Sequence, residues 1–335
     1  MRPSRGRAHD AHVRRIALAL AALAAVVLTG TAAALLTPGR SVVNAAPVSA
    51  LSVTGRSVAY AVGQTKANCG TVRLWDTGTR GLWTFGSRTI IGCEEGFSGG
   101  FGIAQVATSG RRVFWVTNVG GNFTDYQLWT ATATRRSARR LAFASSETGG
   151  PPAIVLGAGT TEGVPYAVGE TITYVSASGA RLFRTTVDSP VRLLTSARGV
   201  GTARVLAALA DGRVVLLSKA GSVLRTDDYP SSAVRAIAFA LVGPLVQVGD
   251  TVNVGPFTGG TKVTLPAGAL MLDYRQGSIF YRQGTQARAR RIATEDDTLL
   301  RTMPLERWEP MLFSTDWGSG WASGRTVSWR SGPPV

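Results

Sequence analysis

The chain has 335 residues, of which 40 are glycine and 44% are apolar, and its formal net charge is +16. Its only two histidines, His9 and His12, lie close to the N-terminus, so the rest of the chain has none. The folded body therefore cannot contain a Ser-His-Asp triad, a zinc ion held by histidine or a histidine general base. The high glycine content favours many short strands joined by tight turns.

The first 36 residues have the order of an export signal. Several arginines between Arg2 and Arg15 precede an apolar run from Ile16 to Leu28, and small residues follow. Residues 16–36 are also long enough to span a bilayer, so an uncleaved membrane anchor is the alternative. We therefore predict a signal peptide or anchor over 1–36. The body would then be extracytoplasmic, either secreted or held at the outer face of the cytoplasmic membrane.

Residues 37–50 are predicted to be a linker, and a repeated pattern begins at residue 51. In each repeat a glycine turn precedes an alternating strand with β-branched and aromatic residues on one face. The spacing from one turn glycine to the next varies between 28 and 59 residues, a range centred on one four-stranded blade. The turn glycines are Gly55, Gly110, Gly169, Gly212, Gly249, Gly277 and Gly324.

This repetition predicts an all-β fold, a β-propeller of six or seven four-stranded blades over residues 51–335. A second strand pair is expected after most turns, for example over 72–83, 181–194 and 221–237. The Gly- and Pro-rich stretch 145–163 is predicted to be a long loop. Paired β-sandwiches are the alternative, whereas an α/β fold is disfavoured because no crossover helix is visible.

The modules resemble the blades of TolB-like and WD-repeat-type β-propellers, although no blade ends in a Trp-Asp dipeptide. One stretch, with Ser314, Asp316, Gly318 and Trp321, fits the pattern S-x-D-x-G-x-x-W and resembles the Asp-box of sialidase-like propellers. In those families the box stabilises a turn far from the active site, so the resemblance implies a structural role. A single copy argues against a sialidase.

Cys69 and Cys93 are the only cysteines, and in an exported chain they are expected to form a disulfide. Closing this loop would stabilise the fold by about 3 kcal/mol. The blade pattern places both cysteines in connections at the same face of the propeller. The alternative is two unrelated thiols.

Polar residues near Cys93 form the predicted binding site. Glu94 and Glu95 follow this cysteine, and the predicted loop from Thr117 to Asp125 adds Asn118, Asn122 and Asp125 from the next blade. Such carboxylates and amides could bind Ca²⁺, a sugar or a cationic peptide group. The alternative is a solvated polar loop. No catalytic residue is assigned, and apart from Ca²⁺ no cofactor is expected.

Clusters of like charge are assigned to the surface. The paired acids at 227–228 and 296–297 are predicted to lie in turns, where adjacent carboxylates do not face each other across a substrate. Without the leader, 31 basic and 19 acidic residues give a net charge of +12. The arginine clusters at 135–140 and 288–291 are interpreted as solvated charge beside outer-strand turns, with an anionic surface as the alternative partner.

The last predicted strand, around Val327 to Trp329, lies so close to the C-terminus that its blade lacks outer strands. An open blade would leave an unpaired edge. We therefore predict that the N-terminal segment of the body, including Ser41–Asn44 and Pro47–Leu51, pairs beside the C-terminal strand and closes the ring.

Together these observations predict a non-enzymatic, monomeric propeller that binds a partner protein or an anionic cell-envelope polymer through one loop-rich face. No nucleic acid is expected, and the membrane is contacted only through the N-terminal segment. The alternative is a carbohydrate-active propeller that uses Glu94, Glu95 or Asp125, which would require two carboxyl groups roughly 5–10 Å apart.

Overall fold

The computed structural model divides the chain into two compact units, Met1–Gly39 and Arg40–Val335, and the second is described below. Among the residues that it describes, no helix is long and apolar enough to cross a membrane. The predicted signal or anchor over 1–36 lies outside these residues. The described residues are 39–62, 70–86, 101–120, 122–147, 150–196, 203–230, 233–240, 243–255, 260–275, 277–302, 312–314 and 318–331.

The body is a seven-bladed β-propeller of four-stranded antiparallel sheets, which confirms the predicted fold class. In chain order the strands are β1 (Arg40–Val43); β2 (Val48–Thr54), β3 (Ser57–Val62), β4 (Val72–Asp76) and β5 (Leu82–Phe85) of blade 1; β6 (Phe101–Ser109), β7 (Arg112–Val119), β8 (Phe123–Thr132) and β9 (Arg139–Glu147) of blade 2; β10 (Ile154–Leu156), β11 (Gly163–Val168), β12 (Thr171–Ser176) and β13 (Arg181–Thr186) of blade 3; β14 (Val191–Ser196), β15 (Ala203–Leu209), β16 (Arg213–Ser218) and β17 (Val223–Asp228) of blade 4; β18 (Val234–Ala240), β19 (Gly243–Val248), β20 (Thr251–Val254) and β21 (Thr261–Thr264) of blade 5; β22 (Leu270–Arg275), β23 (Ser278–Gln283), β24 (Gln286–Arg291) and β25 (Asp297–Thr302) of blade 6; and β26 (Leu312–Ser314), β27 (Gly318–Ser323) and β28 (Thr326–Ser331) of blade 7.

The first strands of neighbouring blades contact one another in a ring around a central channel. Successive strands of each blade then lead outward. Because the strands alternate in direction, the connections fall on two faces. Face A carries the connections from one blade to the next and from the second to the third strand of a blade. Face B carries the turns from the first to the second and from the third to the fourth strand.

The seven glycine turns found in the sequence lie on both faces. Gly55, Gly110 and Gly277 join first and second strands on face B, whereas the other four join second and third strands on face A. This explains the irregular spacing. The interval of 59 residues from Gly110 to Gly169 is long because the first glycine follows strand 1 of its blade and the second follows strand 2 of the next. The interval of 28 residues from Gly249 to Gly277 is short because the order is reversed, from strand 2 of one blade to strand 1 of the next.

Glycine is required at these turns by the backbone conformation. Gly110 and Gly169 have φ of 57° and 55°, and a Cβ added at either would meet nothing within 4 Å. Steric space is thus not the constraint. The constraint is the positive φ, because a residue with a Cβ adopts this backbone conformation only at an energetic cost. A glycine at the first position of a two-residue hairpin loop is typical of type II′ turns.

The structure moves several predicted boundaries. The segment 181–194 is not one strand pair, because β13 is the outer strand of blade 3 and β14 is the first strand of blade 4. The segment 221–237 is divided in the same way between blades 4 and 5. In each segment a short polar stretch links the two strands, as it would in a hairpin, and the sequence pattern therefore predicts a pair within one blade.

The predicted long loop 145–163 is also wrong, because it contains β10, the first strand of blade 3. Ile154 in this strand is fully buried. A strand of three residues between Pro- and Gly-rich segments is too short to show alternation. The acids at 227–228 lie at the end of β17 and not in a turn, while Asp296 precedes β25 and Asp297 begins it.

The apolar core lies between the blades and forms clusters at their interfaces. Trp115, fully buried, is packed with Leu74 and Phe85 of blade 1. Tyr174 of blade 3 is stacked on Phe183, with ring centroids 5.7 Å apart, in the cluster shared with blade 4. Aromatic side chains thus contribute to the packing between neighbouring sheets.

The N-terminal strand closes the ring, as the sequence predicted. β1 pairs antiparallel with β28, from Arg40 opposite Trp329 to Val43 opposite Thr326, and is the outer strand of blade 7. Only the first half of the predicted closing segment takes this role, since β2 begins blade 1 at Val48. Buried Asn44 follows β1, and its backbone N–H and side-chain amide both donate to the carbonyl of Arg325, at 2.8 and 3.0 Å.

Candidate functional site

Part of the predicted site lies outside the described residues, namely Cys69, Cys93, Glu94, Glu95 and Asp316. The strands on either side of the two cysteine-containing segments end or begin at face A. The disulfide, the acidic pair and the possible Ca²⁺ site therefore stay predictions. Among the described residues, no three His, Cys, Asp or Glu side chains lie close enough together to hold a metal ion.

Asn118, Asn122 and Asp125 lie at one hairpin tip of blade 2 on face A. The predicted loop is shorter than expected, since Asn118 belongs to β7 and Asp125 to β8. Asn118 is opposite Tyr126 and Val119 is opposite Asp125, so Asn118 and Asp125 project from opposite sides of the sheet. The Asp125 carboxylate accepts a hydrogen bond of 2.5 Å from the Ser145 hydroxyl on β9. The hairpin brings the three residues to one face of the ring but not to one side of the sheet.

The stretch that resembles an Asp-box lies at the hairpin between the first two strands of blade 7. Ser314 ends β26 and Gly318 begins β27, on which Trp321 is opposite Leu312. The position is at face B. Its turn-stabilising role stays a prediction, because residues 315–317 are not described.

Face A carries paired charges on blade 4 and on the connection from blade 3 to blade 4. The Arg213 guanidinium contacts Asp211 at 2.7 Å and Asp188 at 3.0 Å. These hydrogen bonds raise the pKa of Arg213, and the same contact with Arg213 is the main cause that lowers the pKa of Asp211. Glu147 and Glu170 are exposed on the same face. This face therefore presents carboxylates and guanidinium groups close together.

The channel contains a cavity of about 370 Å³ whose walls are first strands of blades 1 to 6. Leu51, Leu193 and Ile237 contribute apolar wall, and two exposed arginines, Arg192 and Arg235, line it near face A. Arg235 Nη1 lies 3.2 Å from Asp250 Oδ1. A ligand at this opening would meet cationic groups at the rim and apolar surface below.

Arg192 and Arg235 are not among the predicted site residues, although the sequence carries a signal for them. Both occupy the second position of a first strand, in the matching tetrapeptides Val191-Arg192-Leu193-Leu194 and Val234-Arg235-Ala236-Ile237. The sequence pattern hides this match, because a short polar turn makes each of these strands look like the end of the preceding module. With the blade boundaries in place, the two arginines are adjacent around the channel.

The chain is similar in fold to solved WD40 β-propellers. These include a chain of the Mitotic Checkpoint Complex (TM-score 0.56, 13% identity, 88% of this chain and 91% of that chain covered). The Neurospora crassa Pan2 WD40 domain is similar too (TM-score 0.52, 11% identity, 86% of this chain and 90% of that chain covered). So is Saccharomyces cerevisiae Sqt1 (TM-score 0.50, 10% identity, 87% of this chain and 97% of that chain covered). No protein-family model and no curated protein sequence matches this chain.

At these identities the likeness shows the fold alone, a WD40-like propeller. The TolB-like resemblance and the sialidase-type box stay predictions.

Proposed function

We propose that this protein is a non-enzymatic binding propeller that acts outside the cytoplasm and recognises a partner protein through face A. The observation that carries the proposal is the channel opening, where Arg192 and Arg235 lie exposed on adjacent first strands above an apolar cavity. Strands of a closed ring fix the backbone at these two positions, and a rigid backbone loses little entropy on binding.

The chemistry of the opening suggests what the partner presents. Exposed guanidinium groups pair with carboxylates in a forked geometry, and the cavity beneath is lined by leucine and isoleucine side chains. A segment with an acidic side chain next to an apolar one fits both features. Asp250 offers a further polar contact at the rim, which is the usual arrangement around an interface core. The Asp188–Arg213–Asp211 group belongs to the same face.

The extracytoplasmic location rests on the N-terminal order of basic, apolar and small residues. A cell-envelope polymer is the second candidate partner, because the body carries excess positive charge. Asn118, Asn122, Asp125 and the acidic pair Glu94–Glu95 would add to the same face.

The test compares the full chain with the double variant Arg192→Glu/Arg235→Glu and with a control, Arg181→Glu, whose substitution lies at face B. Each immobilised protein is exposed to an envelope extract, and bound proteins and glycans are quantified by mass spectrometry. We expect a protein retained by the wild type and the control and lost at least tenfold from the double variant. Equal retention by all three, with equal thermal stability, would refute a partner site at the channel opening. If the double variant instead failed to retain a glycan that the wild type and the control retain, the opening would be assigned to a polymer.

A further inference from the structure

Face B contains a cleft between blades 2 and 3 that the proposed function does not use. Its volume is about 470 Å³, and three arginines line it: Arg112 at the start of β7, Arg135 in the turn after β8 and Arg139 at the start of β9. Thr130, Ser137 and Gly179 also line this cleft. The cleft lies on the opposite face of the ring from the channel opening.

Arg112 is fixed in this cleft by the neighbouring blade. Its Nε donates to the carbonyl of Ala177 at 2.9 Å and its Nη2 to that of Ser178 at 2.7 Å. Gly179 allows this contact, because its φ is +94° and an added Cβ would lie 2.7 Å from the Arg112 Cζ. All these acceptors are uncharged. Burial, and then the cation of Arg139, lower the pKa of Arg112.

The other two arginines lie on a braced turn. The Arg135 N–H donates to the Thr132 hydroxyl at 2.9 Å, and the Thr132 N–H donates to the Arg135 carbonyl at 3.2 Å. This fixes the backbone that carries Arg135 and leads into Arg139. Both side chains are exposed, and neither forms an ion pair within the part of the chain that the structure describes.

The acidic residues nearby on face B are engaged elsewhere. Asp76 accepts from the backbone N–H groups of Gly78 and Thr79 and lies 3.7 Å from Arg111. Glu162 pairs with Arg204 at 3.1 Å. The three cleft arginines therefore share one polar cavity with no carboxylate of the described chain to balance them, so the cleft attracts anions.

We propose that this cleft binds a phosphate ester group. Three guanidinium groups offer more donors and more charge than a carboxylate, with two oxygens and one negative charge, can use. A tetrahedral phosphate has further oxygens for them, and arginine–phosphate pairs are often forked. The cavity has room for the group that carries the phosphate, and the exposed Ser137 side chain adds a polar group to its wall. This proposal is independent of the partner site on face A.

The binding test uses the full chain with inorganic phosphate, glycerol 3-phosphate and acetate as probes, followed by calorimetry. Arg139→Ala is the main variant because the side chain is exposed and its loss should not disturb folding. Arg139→Lys keeps the charge but loses the fork. Arg181→Ala removes the same charge from the same face outside the cleft and serves as the control.

We expect glycerol 3-phosphate to bind more tightly than acetate. Arg139→Ala should weaken its binding about tenfold, which corresponds to losing one charge-assisted contact, and Arg139→Lys should have an intermediate effect. The control should bind as the wild type does. Equal binding of acetate, or an equal loss in Arg181→Ala, would overturn the proposal, since either result would indicate general attraction to a basic face.

The source of the phosphate is distinguished with vesicles. Phosphatidylcholine vesicles give the background, and vesicles with added phosphatidylglycerol test the lipid headgroup. Extra binding to the second kind that depends on Arg139 assigns the cleft to a headgroup. Binding of glycerol 3-phosphate without that extra binding assigns it to a soluble ester or polymer. No Arg139-dependent binding in either assay would overturn the proposal.

Discussion

At the scale of the residue, buried polar side chains depend on partners from other strands. Tyr281 on β23 is fully buried, and its hydroxyl donates to the carboxylate of Asp297 on β25. The Asp297 carboxylate also accepts from Arg288 Nε at 2.9 Å. Burial, together with the hydrogen bond to Asp297 and its charge, raises the pKa of Tyr281 to about 12. The folded state therefore holds the neutral phenol more strongly than the unfolded chain does.

This pKa predicts a loss of stability at high pH. Between the ordinary tyrosine value of 10.0 and about 12, the unfolded chain ionises while the folded chain keeps its proton, so the free energy of unfolding falls as the pH rises through this window. Tyr281→Phe should show a smaller fall, although Tyr229, with a pKa also raised to about 12, contributes in both proteins. Urea midpoints at pH 8, 10 and 12 measure this. Parallel curves for the two proteins would contradict it.

At the scale of the element, a strand near the channel is held by a glutamine from the preceding blade. Gln247 on β19 is fully buried; its amide donates to the Ala269 carbonyl at 2.8 Å and accepts from the Met271 N–H at 2.7 Å. Gln105 on β6 similarly accepts from the Leu156 N–H of β10 at 2.6 Å. Sheets that share no ladder hydrogen bonds are thereby joined at the first strand of the next blade.

Replacing Gln247 by leucine should lower the free energy of unfolding by about 1–3 kcal/mol, because a buried N–H and a buried carbonyl lose their partner. Gln105→Leu is the matched control. Gln105 is partly exposed, so water can replace the lost bond and the loss should be smaller. Equal losses in urea unfolding of the two variants would show that burial does not decide the effect.

At the scale of the whole molecule, the ring depends on a contact between its first and last strands. The Asn44 carbonyl accepts from Arg325 Nε at 2.7 Å, and its side-chain oxygen accepts from Arg73 Nη1 at 2.7 Å. Val327 and Trp329 are packed in one cluster with Val53 and Tyr60 of blade 1. Closure therefore combines strand pairing, a buried amide and an apolar interface.

Removing β1 together with Asn44 should destabilise the protein by several kcal/mol, since each lost hydrogen bond contributes about 0.5–1.5 kcal/mol and an apolar edge is exposed. The comparison is between a chain that begins at Ala45 and a control that begins at Arg40, followed by thermal unfolding. Melting temperatures within about 2 °C, a difference below ~1 kcal/mol, would show that closure by β1 contributes little.

Local sequence patterns are sufficient to predict the class of fold. Alternation in segments such as Val113–Val116 and glycines such as Gly110 and Gly169 are local signals, because strand periodicity and a positive φ depend on neighbours in the chain. The same local pattern, combined with the position of Val327–Trp329 near the C-terminus, predicted ring closure. Strands without alternation, above all Ile154–Leu156, could not be found this way.

Long-range packing, in contrast, determines which blade each strand joins and which face each side chain occupies. Gly110 and Gly169 have the same turn chemistry but lie on opposite faces, because face depends on the number of preceding strands in the blade and not on the turn itself. Arg192 and Arg235 line one cavity, and Arg112 and Arg139 line another, because strand pairing and blade packing bring together residues that are far apart in the sequence. Such arrangements depend on how whole blades pack against one another, which no local stretch of residues encodes.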